Sequence, residues 1–146
     1  MNYLRYLPHL PKIPQCLIDQ LPKHLVEYDY HFSIGVFKSS RTHLDQIKEW
    51  CDSNIFEDPH WNFQFIAGNL SAHFDTFNTT TKLVYLFEPG GKNVRTQFFL
   101  KNLQQPARDY CIEPFVWHLL KVDVLHSVVN VEPGLVRKSI ACSIFK

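Results

Sequence analysis

From residue 61 onward the chain repeats one device: a short run rich in aromatic and β-branched side chains, closed by turn material. The runs are WNFQFIA (61–67), SAHFDTF (71–77), TKLVYLFE (81–88), VRTQFFL (94–100), FVWHLLK (115–121), VLHSVVNV (124–131) and VRKSIACSIF (136–145). Gly68-Asn69, Asn78-Thr79-Thr80, Pro89-Gly90-Gly91 and Glu132-Pro133-Gly134 separate most of them. Aromatic and β-branched residues suit a pleated, half-buried surface, and Gly, Pro and Asn supply the backbone angles of tight turns. Seven such runs over roughly 85 residues predict an all-β sandwich or barrel. Composition agrees, with 12 Phe, 6 Tyr and 3 Trp against only 5 Gly.

The first sixty residues read differently. Residues 1–38 are broken by prolines, with a helix expected around 15–26 that Pro22 must interrupt or restart. Residues 28–37 (YDYHFSIGVF) alternate as one strand. Residues 41–53 (RTHLDQIKEWCDS) make the best helix: Thr42 and Asp45 resemble a short capping box, and Leu44, Ile47 and Cys51 form a narrow apolar stripe. A chain of 146 residues fits a single domain, 1–146. Within it, residues 1–60 are expected to form a helical and irregular buttress against a β core at 61–146.

Charge and cysteine usage exclude several functions. Fifteen Lys and Arg against fourteen Asp and Glu give a net charge of +1, with no basic stripe, so no nucleic-acid partner is expected. No stretch approaches the ~20 apolar residues of a membrane span, and the proline-punctuated start does not read as a signal peptide. Cys16, Cys51, Cys111 and Cys142 show no C-x-x-C spacing, which points to free thiols in a reducing, cytoplasmic compartment rather than a zinc or redox site. The aromatic content is compatible with a homodimer.

Chemistry is sought where polar residues interrupt strands. His73 and Asp75 flank Phe74, so on a strand they share one face, where imidazole and carboxylate can share a metal ion; alone, such a pair more often bonds to a loop. His126 lies in a Val/Leu-rich run, where a core histidine with its hydrogen bonds satisfied is the ordinary explanation. On the last run, Arg137, Ser139, Ala141, Ser143 and Phe145 share one face, and Val136, Ile140, Cys142 and Ile144 share the other. The apolar face is expected to pack on the helices, while Arg137 and Ser139 turn to the inner side, suited to a carboxylate; a solvated polar face is the simpler alternative. Gly90-Gly91 reads as a hairpin turn. Asn78 and Arg95 are polar residues at strand ends.

Taken together, H-x-D, a Gly-Gly turn, a late histidine and a final R-x-S resemble the order found in Fe(II)- and 2-oxoglutarate-dependent oxygenases. The likeness is closest over VDVLHSVVNVEPGLVRKSIACSIF, which is similar to the end of the aspartyl/asparaginyl and prolyl hydroxylase-like branch. There a histidine is followed by a "VN", a turn, and an arginine that opens the closing strand. The resemblance covers about residues 62–145. It implies a mainly β chain folded as a double-stranded β-helix (jelly-roll, cupin-like) with N-terminal buttressing helices. It implies His73, Asp75 and His126 as Fe(II) ligands, a facial triad that leaves three positions open. It further implies 2-oxoglutarate as co-substrate, held by Arg137 with Ser139 and, more remotely, Tyr85, and O2 as oxidant. Asn130 shares the strand face of His126 if no bulge intervenes, which makes it a candidate for contact with substrate or with a metal ligand; the alternative is that it only begins the turn. The implied activity is hydroxylation of a C–H on a peptidyl or free amino-acid side chain, or on another small molecule. Two alternatives stay open: a non-catalytic jelly-roll or cupin-like binding or structural module, and a cupin-type metalloenzyme without 2-oxoglutarate.

Overall fold

The structure, a computed structural model, describes residues 2–21, 28–31, 34–37, 41–75, 79–100 and 105–145. Among the described residues, eleven strands and two helices follow in the order β1 (Leu4–Tyr6), α1 (Gln15–Asp19), β2 (Tyr28–His31), β3 (Ile34–Phe37), α2 (Arg41–Asn54), β4 (Asn62–Ile66), β5 (Leu70–His73), β6 (Thr79–Glu88), β7 (Arg95–Phe99), β8 (Arg108–Tyr110), β9 (Trp117–Lys121), β10 (Leu125–Val129) and β11 (Arg137–Phe145). They form a seven-stranded sheet, β1-β9-β6-β11-β4-β3-β2, and a four-stranded sheet, β5-β10-β7-β8. Every pairing among the described residues is antiparallel. From β4 on, the chain passes from one sheet to the other at almost every turn, and the two sheets enclose a cavity lined from both sides. The expected mainly β architecture is thus the observed one.

Strand parity sorts the side chains of the large sheet. On β6, Leu83, Tyr85 and Phe87 face a core that also holds Ile47 and Cys51 of α2, while Lys82, Val84 and Leu86 line the cavity. On β11, Ile140 and Cys142 join that outer core, and Arg137, Ser139 and Ser143 line the cavity. Because β11 is paired along both edges, to β4 and β6, neither face can rotate away. Aromatic side chains fill the outer core: Tyr85 lies 4.9 Å from Trp117 between ring centroids, and Trp61 lies 5.7 Å from Trp117. The Trp117 indole N–H donates to the Pro11 carbonyl at 2.8 Å, which ties the proline-broken N-terminal segment onto this layer.

The N-terminal sixty residues are more than a helical and irregular buttress. β1 extends the large sheet along β9, with Leu4 opposite Leu120 and Tyr6 opposite His118, and β3 extends it along β4. Residues 28–37 are not one strand but two, β2 and β3, paired as a hairpin with Tyr28 opposite Phe37 and His31 opposite Ile34. The first helix is the five-residue α1 and ends before Pro22; the rest of the expected 15–26 span, from residue 22, lies outside the described residues. Helix α2 falls where its apolar stripe predicts, although the side chain of Thr42 is outside the described set. Among the described residues, no helix is long and apolar enough to cross a membrane.

The Gly90-Gly91 turn does more than reverse the chain. Gly90 has φ +85, and a Cβ there would stand 3.0–3.2 Å from the backbone N, Cα and Cβ of Arg137. Its carbonyl accepts from Glu132 N–H at 2.8 Å. Only glycine combines that angle with that approach.

Ile140 is fully buried at the centre of the outer core. Ile140→Ala is expected to destabilise the protein by about 2–5 kcal/mol through the cavity it leaves. In urea titrations the midpoint falls while the slope stays constant.

Candidate metal centre and anion pocket

The cavity between the sheets has a volume of about 520 Å³. His73 is the last residue of β5, and Asp75 N–H donates to the Val122 carbonyl at 3.1 Å, which pins the chain just beyond the strand. His73 and Asp75 therefore keep one face, while Phe74 is left 58% exposed at the rim. His126 stands directly opposite His73 in the β5–β10 ladder, with ring centroids 4.4 Å apart. The H-x-D pair and the late histidine of the sequence thus meet.

Both rings are oriented by the same local device. His73 Nδ1 lies 2.8 Å from the Ser71 carbonyl and His126 Nδ1 lies 2.7 Å from the Val124 carbonyl. A carbonyl only accepts, so each Nδ1 must carry the proton, and in the neutral ring each Nε2 is a bare lone pair. Those Nε2 atoms lie 3.5 Å (His73) and 3.3 Å (His126) from Asp75 Oδ1. Three acceptors thus converge within 4.8 Å of one another. Two lone pairs facing a carboxylate oxygen repel unless positive charge comes between them, as a proton or a metal ion. The protein shows this demand for positive charge. The bond to Asp75 raises the His73 pKa, against the opposing effect of burial. Burial alone would raise the Asp75 carboxyl, but His126, His73 and Lys82 together hold it well below the usual carboxylate range. Two imidazoles and a carboxylate without thiolate are a donor set for Fe(II) among first-row metals.

Arg137, in the same cavity, is 7% exposed. Its guanidinium donates through Nη1 to the Pro89 carbonyl at 3.2 Å, and no carboxylate pairs with it among the described residues. Burial pulls its pKa down to about 10. Ser139 is two residues on along the same face, with Gln64 opposite it on β4; both line the cavity. Asp75 is the one acidic residue among the described lining residues, against the two cations Lys82 and Arg137. A buried guanidinium without a counter-charge is a site for an anion, and a carboxylate matches its fork.

Two sequence expectations are corrected. Tyr85 does not face the cavity: it follows Val84 and precedes Leu86, so parity turns its ring into the outer core against Trp117. Asn130 does not continue the His126 face: β10 ends at Val129, and Asn130 is exposed with φ 66 at the start of the turn. The pairing with β5 also shifts between His126 and Val128. Arg95 is a surface residue, 3.9 Å from Asp109, and Asn78 lies outside the described residues. Sequence reasoning missed Gln64, Lys82 and His118 as cavity residues. The signal for Gln64 was present in the alternation, since it stands between Phe63 and Phe65; Lys82 follows three threonines at the polar start of its strand and carries no such mark.

No protein-family model matches the sequence, and no curated protein matches it. Among solved structures, the chain is similar to an oxidoreductase of the 2OG-Fe(II) oxygenase family from Burkholderia pseudomallei. The TM-score is 0.54 at 10% identity, over 88% of this chain and 74% of that one. It also matches a cupin-2 domain containing protein from Shewanella frigidimarina with a TM-score of 0.41 at 12% identity, over 80% and 85% of the two chains. The first likeness, with two facing antiparallel sheets, shows a jelly-roll fold of the double-stranded β-helix kind.

His118 makes one property of the cavity measurable. It is 1% exposed, and burial pulls its pKa down to about 4 from 6.5. The unfolded chain therefore binds more protons between these values, so stability rises with pH across that window and is lost as pH falls from 6.5 towards 4. The contribution is about 3 kcal/mol. His118→Gln is expected to flatten the dependence of unfolding free energy on pH in this range, measured by urea titration at successive pH values.

Proposed function

We propose that the protein is an Fe(II)- and 2-oxoglutarate-dependent dioxygenase that hydroxylates a C–H of a peptidyl or free amino-acid side chain. The observation that carries this reading is the convergence of His73 Nε2, His126 Nε2 and Asp75 Oδ1, in the cavity that also holds the uncompensated Arg137. The fold it shares with a protein described as a 2OG-Fe(II) oxygenase supports it. The substrate class rests on the resemblance of residues 122–145 to the aspartyl/asparaginyl and prolyl hydroxylase-like branch.

In this reading His73, Asp75 and His126 hold iron, which supplies the redox chemistry that couples O2 and the co-substrate to substrate oxidation. The carbonyls of Ser71 and Val124 keep both Nε2 lone pairs aimed inward, so the ligands are pre-oriented before metal arrives. Arg137 binds the distal carboxylate of 2-oxoglutarate, with the Ser139 hydroxyl donating beside it. Burial of the guanidinium would strengthen that pairing. The apolar walls, Val84, Leu86, Leu120 and Val128 among them, exclude water from the reacting region. The overall conversion turns substrate C–H, 2-oxoglutarate and O2 into substrate C–OH, succinate and CO2.

Addition of Fe(II) and 2-oxoglutarate to the metal-free protein without oxygen is expected to produce a visible charge-transfer band. Asp75→Ala is expected to abolish it. Arg137→Ala is expected to raise the 2-oxoglutarate concentration needed by roughly 30-fold or more, the loss of one buried charge pair. A folded protein that shows no band overturns the proposal and leaves the jelly roll as a binding module.

A further inference from the structure

Asp75 presents its two oxygens to different neighbours. Oδ1 faces the two imidazoles, at 3.3 Å and 3.5 Å. Oδ2 faces Lys82, whose Nζ lies 2.7 Å away, with both side chains largely buried. Oδ2 itself is fully buried, and the Lys82 contact is an ion pair by distance without the alignment of a hydrogen bond. Lys82 is rigidly placed: β6 pairs it with Leu120 on one side and Ser143 on the other, and parity sends its side chain into the cavity.

We propose that Lys82 is a positioning residue that confines Asp75 to one-oxygen ligation. This rests on the metal reading above. A divalent ion bound by both oxygens of Asp75 would have to approach Oδ2, where it meets the Lys82 ammonium at close range in a poorly solvated site. With Lys82 in place, Asp75 fills one coordination position instead of two, and an extra position stays open for the co-substrate. The same ammonium offsets the carboxylate charge and so moderates affinity for the bare metal. Removal of the charge therefore has two effects of opposite sign: tighter metal, and weaker co-substrate on the metal-loaded protein. A merely structural lysine would weaken both or neither.

The test is Lys82→Met, which keeps the stem and removes the charge, with Lys82→Gln measured in parallel and Lys82→Arg as the conservative restoration. Co(II) is titrated into each metal-free protein and followed by its visible absorption, and 2-oxoglutarate is then titrated into the Co(II)-loaded forms. The expected result is a Co(II) Kd about tenfold lower in the Met and Gln variants and a 2-oxoglutarate Kd about tenfold higher, each equal to about 1.4 kcal/mol. Lys82→Arg stays near the unaltered protein in both. Unaltered protein that takes up no Co(II) overturns the metal reading and this inference with it. Unaltered protein that binds Co(II), with Met and Gln variants that bind both ligands equally well or both more weakly, overturns the role of Lys82 alone.

Discussion

Strand β11 is hydrogen-bonded along both edges, and its two faces are chemically opposite. One face carries Ile140 and Cys142 into the core beneath α2, and the other carries Arg137, Ser139 and Ser143 into the cavity. The period of two makes these facts inseparable: a shift of one residue would bury the guanidinium under the helix and turn Ile140 to the cavity. Burial of the aromatic outer core therefore holds the polar inner face in place. The packing energy lies on one side of the sheet and the chemistry on the other.

The inner face is an electrostatic arrangement that is incomplete by design of its residues. At one end, two imidazole lone pairs and a carboxylate oxygen crowd together and call for a cation. At the other, a buried guanidinium has only a carbonyl beside it and calls for an anion. Neither end relieves the other within the protein, and both open onto one cavity. A cation and a dianionic co-substrate that bridges to it would satisfy both ends at once, which is the physical content of the proposed activity.

The mainly β character was legible because it rests on alternation, the strongest local signal in a strand, whereas the double-stranded β-helix and the grouping of His73, Asp75, His126 and Arg137 into one site were expected only from the family resemblance. His73 and Asp75 on one face, and Arg137 and Ser139 on another, follow from spacing alone. Tyr85 turns to the outer core, which a run as apolar on both faces as LVYLFE does not disclose. Asn130 opens the turn, the alternative that its place just before Val-Glu-Pro-Gly left open, because β10 ends at Val129 and its φ is positive. β1 and β8 carry no readable signal because three residues at a sheet margin are too short to establish an alternation. Residues 28–37 read as one strand because the reversal carries no Asn-Gly or Pro signal.

By itself, the sequence determined which residues alternate, where the turns fall, and that residues two apart, such as Arg137 and Ser139, share a face. Those are properties of neighbours in the chain, governed by local sterics and the pleat. Tertiary structure alone decided that His126 stands opposite His73, that Lys82 reaches the second oxygen of Asp75, and that Gly90 admits the backbone of Arg137. Each of these joins residues on different strands or in different sheets, so it depends on ladder register and on which sheet each strand enters. No local preference encodes either, because both are settled only when the apolar faces find each other and close.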